Sequence, residues 1–291
     1  MRPPNESRIH VNGIGLALYE WPASAADTPG EAPPTAFFAH ATGFHARCWD
    51  RVVEQLPGVR CLAIDMRGHG RSDKPAPPYP WRNFADDVAA TARHLGLRDA
   101  VAVGHSKGGY AVTLAAALAP GTFGKLLLID PVILSPAAYA SGAERQPPAV
   151  RRRNRWTSAE EMFERFSGRP PFDTWDADVL HDYCNFGLLP AADGDGFVLA
   201  CPPEIEAATY AGAGLGGEIY EAIAALQIPV HVLRARGPAA SAREGDMRGS
   251  PTAPDLASRF AAGEDHYLPQ YSHFLPMEDP AFVAARVREM L

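Results

Sequence analysis

The stretch that most constrains this chain is Gly104-His105-Ser106-Lys107-Gly108, set between an apolar run at 100–103 and an alanine-rich segment from Tyr110 to Ala119. The first run is short, β-branched and flanked by charge, as in a buried parallel strand. The second has no breaker before Pro120 and reads as a helix. A G-x-S-x-G pattern between strand and helix is the signature of a sharp turn that lifts a serine hydroxyl above the carboxyl edge of a sheet. Gly104 and Gly108 leave out the side chains that would collide there. The helix start behind Ser106 favours negative charge developing at its hydroxyl.

The rest of the chain supplies a frame for that turn. Residues 8–11 and 16–21 flank Asn12-Gly13-Ile14-Gly15, a hairpin signal. Strands are expected at 35–39, 60–64, 100–103, 125–129, 228–233 and 266–268. Helices are expected at 49–56, 84–95, 110–119 and 255–262, with a closing helix at 279–291. Such alternation specifies a parallel α/β sheet covered on both faces. From 135 to 225 the alternation stops, and this region reads as an inserted cap with helices at 158–166, 178–186 and 204–211. The core is therefore 1–134 with 226–291.

With 291 residues and 46% hydrophobic content, the chain can bury a full core. A net charge of −7 does not suit a nucleic-acid binder. The four cysteines, Cys48, Cys61, Cys184 and Cys201, lack metal or redox spacing and are expected as free thiols. No signal peptide and no membrane span is evident, so a cytoplasmic protein acting on a small molecule, as monomer or homodimer, is expected.

A serine nucleophile requires a base, an acid that orients the base, and donors for an oxyanion. Of ten histidines, His273 follows the last strand and can reach the Ser106 edge; His266, within that strand, is its rival. His105 should point away from the hydroxyl, while His40 and His69 in tight turns suit structural hydrogen bonds. Asp130, at the end of the strand after the Ser106 helix, is the expected acid, with Asp246 as the alternative. The N–H groups of Lys107 and Thr42 are the expected oxyanion donors. The Lys107 side chain reads as turned away and solvated; near the site it would favour anionic substrates.

These residues, with the His40-Ala41-Thr42-Gly43-Phe44 turn, Trp49, Asp65-x-Arg67-Gly68-His69-Gly70-x-Ser72 and Ser272-His273-Phe274, resemble the α/β-hydrolase-fold serine hydrolases of the capped, esterase- or lactonase-like branch. The resemblance covers about 8–134 and 226–291. It departs at Ala41, where many relatives have glycine, at Lys107, often Met or Gln, and in lacking an acid just after 228–233. It implies a mostly parallel eight-stranded sheet, a mainly helical cap, and two-step acyl transfer by Ser106, His273 and Asp130. No metal or cofactor is implied. Ser at the elbow separates the chain from the dehalogenase and epoxide-hydrolase branches, which use Asp. The leading reading is hydrolysis of a carboxylic ester or lactone. Carbon–carbon cleavage beside a ketone uses the same triad, a perhydrolase side activity is compatible with it, and a non-catalytic small-molecule receptor is the reading of another class. Seven cap aromatics (Trp156, Phe163, Phe166, Phe172, Trp175, Tyr183, Phe186) suggest a largely apolar pocket. Arg151-Arg152-Arg153 is either a solvated face or a site for a substrate carboxylate.

Overall fold

The computed structural model describes residues 3–24, 32–141, 148–238 and 248–291. Strands β1 (Asn5–Val11), β2 (Ile14–Trp21), β3 (Thr35–Ala39), β4 (Arg60–Ile64), β5 (Ala100–His105) and β6 (Phe123–Ile129) precede the segment 135–225. Within it lie the short strands β7 (Arg155–Trp156), β8 (Leu188–Pro190) and β9 (Phe197–Leu199), and after it β10 (Val230–Ala235) and β11 (Gly263–Leu268). Eight of them make one sheet in the order β1-β2-β4-β3-β5-β6-β10-β11. The β1–β2 and β2–β4 pairs are antiparallel and the others parallel.

Helices α1 (Asp50–Val53), α2 (Trp81–His94), α3 (Lys107–Leu118), α4 (Pro136–Ala140), α5 (Ala159–Phe166), α6 (Ala177–Phe186), α7 (Pro203–Ala211), α8 (Ile219–Ala225), α9 (Leu275–Glu278) and α10 (Pro280–Met290) complete the chain. Neighbouring strand residues alternate between two cores. Phe37, Ala102 and Leu126 pack with Phe84 and Val88 of α2, Val112 of α3 and Ile223 of α8. Phe38, Val103 and Leu127 pack with Val52 of α1 and Val283 and Val287 of α10. Side chains on a strand point to opposite faces in turn, so a strand covered on both sides is apolar throughout. All six residues of β5 are buried accordingly.

Several boundaries differ from the sequence expectation. Helix α3 starts at Lys107 rather than Tyr110, despite the low helix propensity of Gly108 and Gly109. Close packing explains it: a Cβ at Gly108 would lie 2.1 Å from the Ala39 carbonyl oxygen, and one at Gly109 2.6 Å from Cβ of Pro131. The expected helix at 49–56 is a 3-10 turn at Ala46–Trp49 followed by a single α-turn. The expected helix at 255–262 is only a 3-10 turn, Ala257–Arg259. Leu256 and Phe260 are both drawn into the core. The chain then doubles back so tightly at Gly263 that a Cβ there would meet the Ala257 oxygen at 2.1 Å, and β11 begins three residues before its expected start. The segment 135–225 also holds a three-stranded antiparallel sheet, β7-β9-β8, beside its helices. Among the described residues no helix is long and apolar enough to cross a membrane. All four cysteines are free and buried.

Candidate active site

Ser106 lies between the last residue of β5 and the first of α3, with φ +56° and ψ −120°. That backbone conformation is costly for a residue with a side chain and persists only when its neighbours hold it. Here the Ser106 N–H donates to Ile129 O at 3.1 Å, and the Ser106 carbonyl accepts from Gly109 at 3.0 Å and Val132 at 3.1 Å. The turn is thus pinned to β6 on one side and to α3 on the other.

The Ser106 hydroxyl lies 3.0 Å from Nε2 of His273, and Nδ1 of His273 lies 2.5 Å from Oδ2 of Asp130. With Nδ1–H donating to the carboxylate, Nε2 is left as the acceptor for the serine proton. The other carboxylate oxygen of Asp130 accepts from Ala235 N–H at 2.8 Å and from the Ser250 hydroxyl at 2.6 Å. All three residues are buried. Asp130 itself has φ +42°, and its N–H donates to Leu233 O at 2.7 Å, so the ends of β6 and β10 aim its side chain together. The alternative acid, Asp246, lies outside the described residues. The rival base, His266, stays on β11 beside Glu264.

His105 contributes differently. Its Nε2–H donates to the backbone carbonyl of His273 at 2.7 Å, which fixes the loop carrying His273. Burial, reinforced by the neighbouring His273, pulls the His105 pKa down to about 3. His40 donates from Nδ1 to Ala41 O at 2.7 Å and accepts from Met66 N–H at 2.9 Å, tying the loop after β3 to the loop after β4. His69 donates from Nδ1 to Arg67 O at 2.9 Å. Asp65 braces the same loops, accepting from Ala46 N–H at 2.7 Å and Arg71 N–H at 2.8 Å.

Thr42 is buried in the loop after β3, and Gly43 turns the chain there with φ +80°. Among the described residues, neither the Thr42 N–H nor the Lys107 N–H appears in a hydrogen bond within the protein. The Lys107 side chain is not solvated, contrary to expectation. It is fully buried, its ammonium lies 3.8 Å over the ring of Phe84, and it has no hydrogen-bond partner. Burial lowers its pKa from 10.5 to about 7. Phe84 of α2 is the ring that covers it.

The arginine run divides. Arg153 pairs with Glu161 at 2.5 Å and lies 4.3 Å over Trp156. Arg152 turns inward, with Glu206 at 2.8 Å and the Tyr183 hydroxyl as partners. Its Nη1 lies 3.3 Å from where a Cβ on Gly43 would stand, directly against the Thr42 loop. A small cleft between that loop and the segment 135–225 is lined by Gly43, Phe44, His45, Arg152, Tyr183 and Cys201, among others. Phe44 packs against Tyr183 at 5.3 Å, Trp175 at 5.6 Å and Phe274 at 6.3 Å between ring centres.

Sequence reasoning gave His45 no role, yet its ring donates to Tyr183 O at 3.1 Å and ties the Thr42 loop to α6. Only its position two residues past Gly43, a place where any anchored side chain would act on the loop, could have signalled it.

Comparison with known proteins identifies the family of the fold. The model of the alpha/beta hydrolase family matches residues 36–286. A 2-(acetamidomethylene)succinate hydrolase of Mesorhizobium japonicum is 28% identical over 274 residues, covering 91% of this chain and 90% of its own length. A non-heme chloroperoxidase of Streptomyces lividans is 39% identical over 107 residues, a segment covering 36% of this chain and only 38% of that protein. In fold, the crystal structure of an E-2-(acetamidomethylene)succinate hydrolase superposes with a TM-score of 0.74 at 20% identity, covering 99% of this chain and 98% of the other.

Proposed function

This chain belongs to the alpha/beta hydrolase family, and from that premise we propose that it is a serine hydrolase that cleaves a carboxylic ester or lactone of a small, largely apolar substrate. The hydrogen-bonded line Ser106–His273–Asp130 carries the reading. In the proposed mechanism His273 Nε2 takes the hydroxyl proton while Ser106 Oγ attacks the carbonyl carbon. Asp130 holds the ring and stabilises the imidazolium. The Thr42 and Lys107 N–H groups bind the tetrahedral oxyanion. Collapse returns the proton to the departing alkoxide and leaves an acyl-serine. Water, deprotonated by His273, then attacks the acyl carbon, and expulsion of Ser106 releases the acid. The aromatic cluster of Phe44, Trp175, Tyr183 and Phe274 supports an apolar acyl or alcohol pocket. We take 135–225 as the cap that shapes it.

A second reading refines the first: the substrate also carries a carboxylate. Arg152, held against the Thr42 loop at the cleft, is the candidate partner, with the substrate carboxylate taking the place of Glu206 on its guanidinium. The full-length relative named for 2-(acetamidomethylene)succinate supports this reading.

The test of the first reading is labelling with a fluorophosphonate, followed by mapping of the adduct and turnover of p-nitrophenyl esters. A single adduct on Ser106, absent from Ser106→Ala, is expected. An adduct that persists in Ser106→Ala overturns the nucleophile. A labelled enzyme that turns over β-diketones but no ester or lactone overturns the ester reading in favour of carbon–carbon cleavage. For the refinement, an enzyme that prefers an ester with a free carboxylate should lose that preference in Arg152→Met.

A further inference from the structure

We propose that His231, Glu264 and His266 form a binding site for one divalent transition-metal ion, Zn2+ being the leading occupant, that clamps the last two strands of the sheet together.

The register of the sheet creates the cluster. His231 of β10 stands opposite Glu264 of β11, and Leu233 stands opposite His266. Side chains alternate along a strand, so His231, Glu264 and His266 share the face that α10 covers. The Glu264 Oε2 lies 3.6 Å from Nε2 of His231 and 3.5 Å from Nε2 of His266. One ligand atom from each of the three residues falls within 4.8 Å of the others. Two ligands bound to zinc at about 2.0–2.1 Å and at tetrahedral angles are separated by roughly 3.3–3.4 Å. Small rotamer adjustments therefore bring three donors onto one ion and leave the fourth position for water.

The donor chemistry fits as well. Two imidazoles and one carboxylate suit zinc, nickel or cobalt better than magnesium or calcium, which take oxygen ligands. His266 Nε2 is buried with no hydrogen-bond partner, and the two rings lie 5.1 Å apart at 37°. From α10, Arg286 and Glu289 also face His231, paired with each other, so their charges largely cancel there.

A clamp has a purpose at this place. β11 is the edge strand and none of its six residues is fully buried, so hydrophobic packing secures it weakly. Yet β10 ends at Ala235, which holds Asp130, and β11 leads into the loop bearing His273. His231 is four residues before Ala235, about 13 Å along a strand, so the ion would steady the frame without touching the reacting atoms.

Tag-free, chelator-treated protein should be titrated with Zn2+ by calorimetry and with Co2+ by its visible absorption. One equivalent should bind, with micromolar or tighter affinity and the intense bands of a four-coordinate cobalt site, and Zn2+ should raise the melting temperature by a few degrees. His266→Ala and His231→Ala should each weaken binding at least roughly 100-fold, and Glu264→Gln about 10- to 100-fold, while ester turnover stays at the wild-type rate. If His266→Ala fails to fold, His266→Gln replaces it. No saturable uptake of Zn2+ by about 1 mM, or uptake unchanged in the His231→Ala/His266→Ala double variant, overturns the site.

Discussion

Asp130 and His273 are separated by 143 residues, yet carboxylate Oδ2 and imidazole Nδ1 meet at 2.5 Å. The second carboxylate oxygen is held by Ala235 N–H and the Ser250 hydroxyl, so the acid cannot rotate without breaking those bonds. Asp130→Asn replaces one acceptor by an amide that must donate. Facing His273 it forces the wrong ring tautomer, and facing Ala235 it opposes another donor. A fall in kcat of about 10⁴-fold on a p-nitrophenyl ester is expected, as for loss of the orienting acid in a serine triad. Retention of kcat within tenfold would remove Asp130 from that role.

Much of this arrangement is legible in the sequence. Buried parallel strands are written as short β-branched runs, and such runs fix the sheet edge from which Ser106, Asp130 and the His273 loop emerge. What stayed hidden depends on contacts between distant segments. The Lys107 ammonium is buried with Phe84 of α2 over it, while a lysine in sequence is almost always solvated. Strands of two or three residues, as in β7, β8 and β9, are too short to show a period. Their one local trace is Asp193-Gly194-Asp195-Gly196, where both glycines take positive φ in the turn between β8 and β9.

Lys107 should make stability depend on pH in the neutral to alkaline range. Its folded pKa is about 7 and its unfolded pKa is near 10.5, so between those values the unfolded chain holds a proton that the folded one lacks. Stability gains from rising pH across that window, by up to about 1.4 kcal/mol per pH unit. Lys107→Met keeps the length of the side chain and removes the titration. Urea unfolding at pH 7.0, 7.75 and 8.5 should show the wild type gaining on Lys107→Met with each step. Parallel curves would mean that the amine keeps its charge in the fold.

A complementary effect belongs to His105. Its folded pKa near 3 lies well below the ordinary 6.5, so acid protonates the unfolded chain first and stability falls as the pH drops from 6.5 toward 3. His105→Gln retains an N–H donor for the His273 carbonyl but does not titrate. The wild type should lose stability relative to this variant by about 1.4 kcal/mol per pH unit between pH 6 and 4. A constant difference across that range, in the same urea experiment, would contradict the buried neutral imidazole. A slower variant at pH 7.5 is expected as well, because the glutamine is shorter and less rigid than the ring that fixes the His273 loop.

Gly108 joins the elbow to the loop that carries Thr42. A Cβ built on it lies 2.1 Å from the Ala39 oxygen and 2.9 Å from the His40 oxygen, both backbone atoms that no rotamer change can clear. Gly108→Ala must therefore push α3 away from the end of β3, and the Lys107 and Thr42 N–H groups move apart with those two elements. Oxyanion donors act only when both point at the developing charge, and the loss of one typically costs 10²- to 10³-fold in kcat. A fall of about that size is expected, with KM changed far less, together with a destabilisation of roughly 1–3 kcal/mol from the forced repacking. Gly168→Ala, where a Cβ meets nothing within 4 Å, serves as the control and should leave both quantities unchanged. Wild-type kcat in a folded Gly108→Ala would show that the spacing between β3 and α3 does not set the oxyanion geometry.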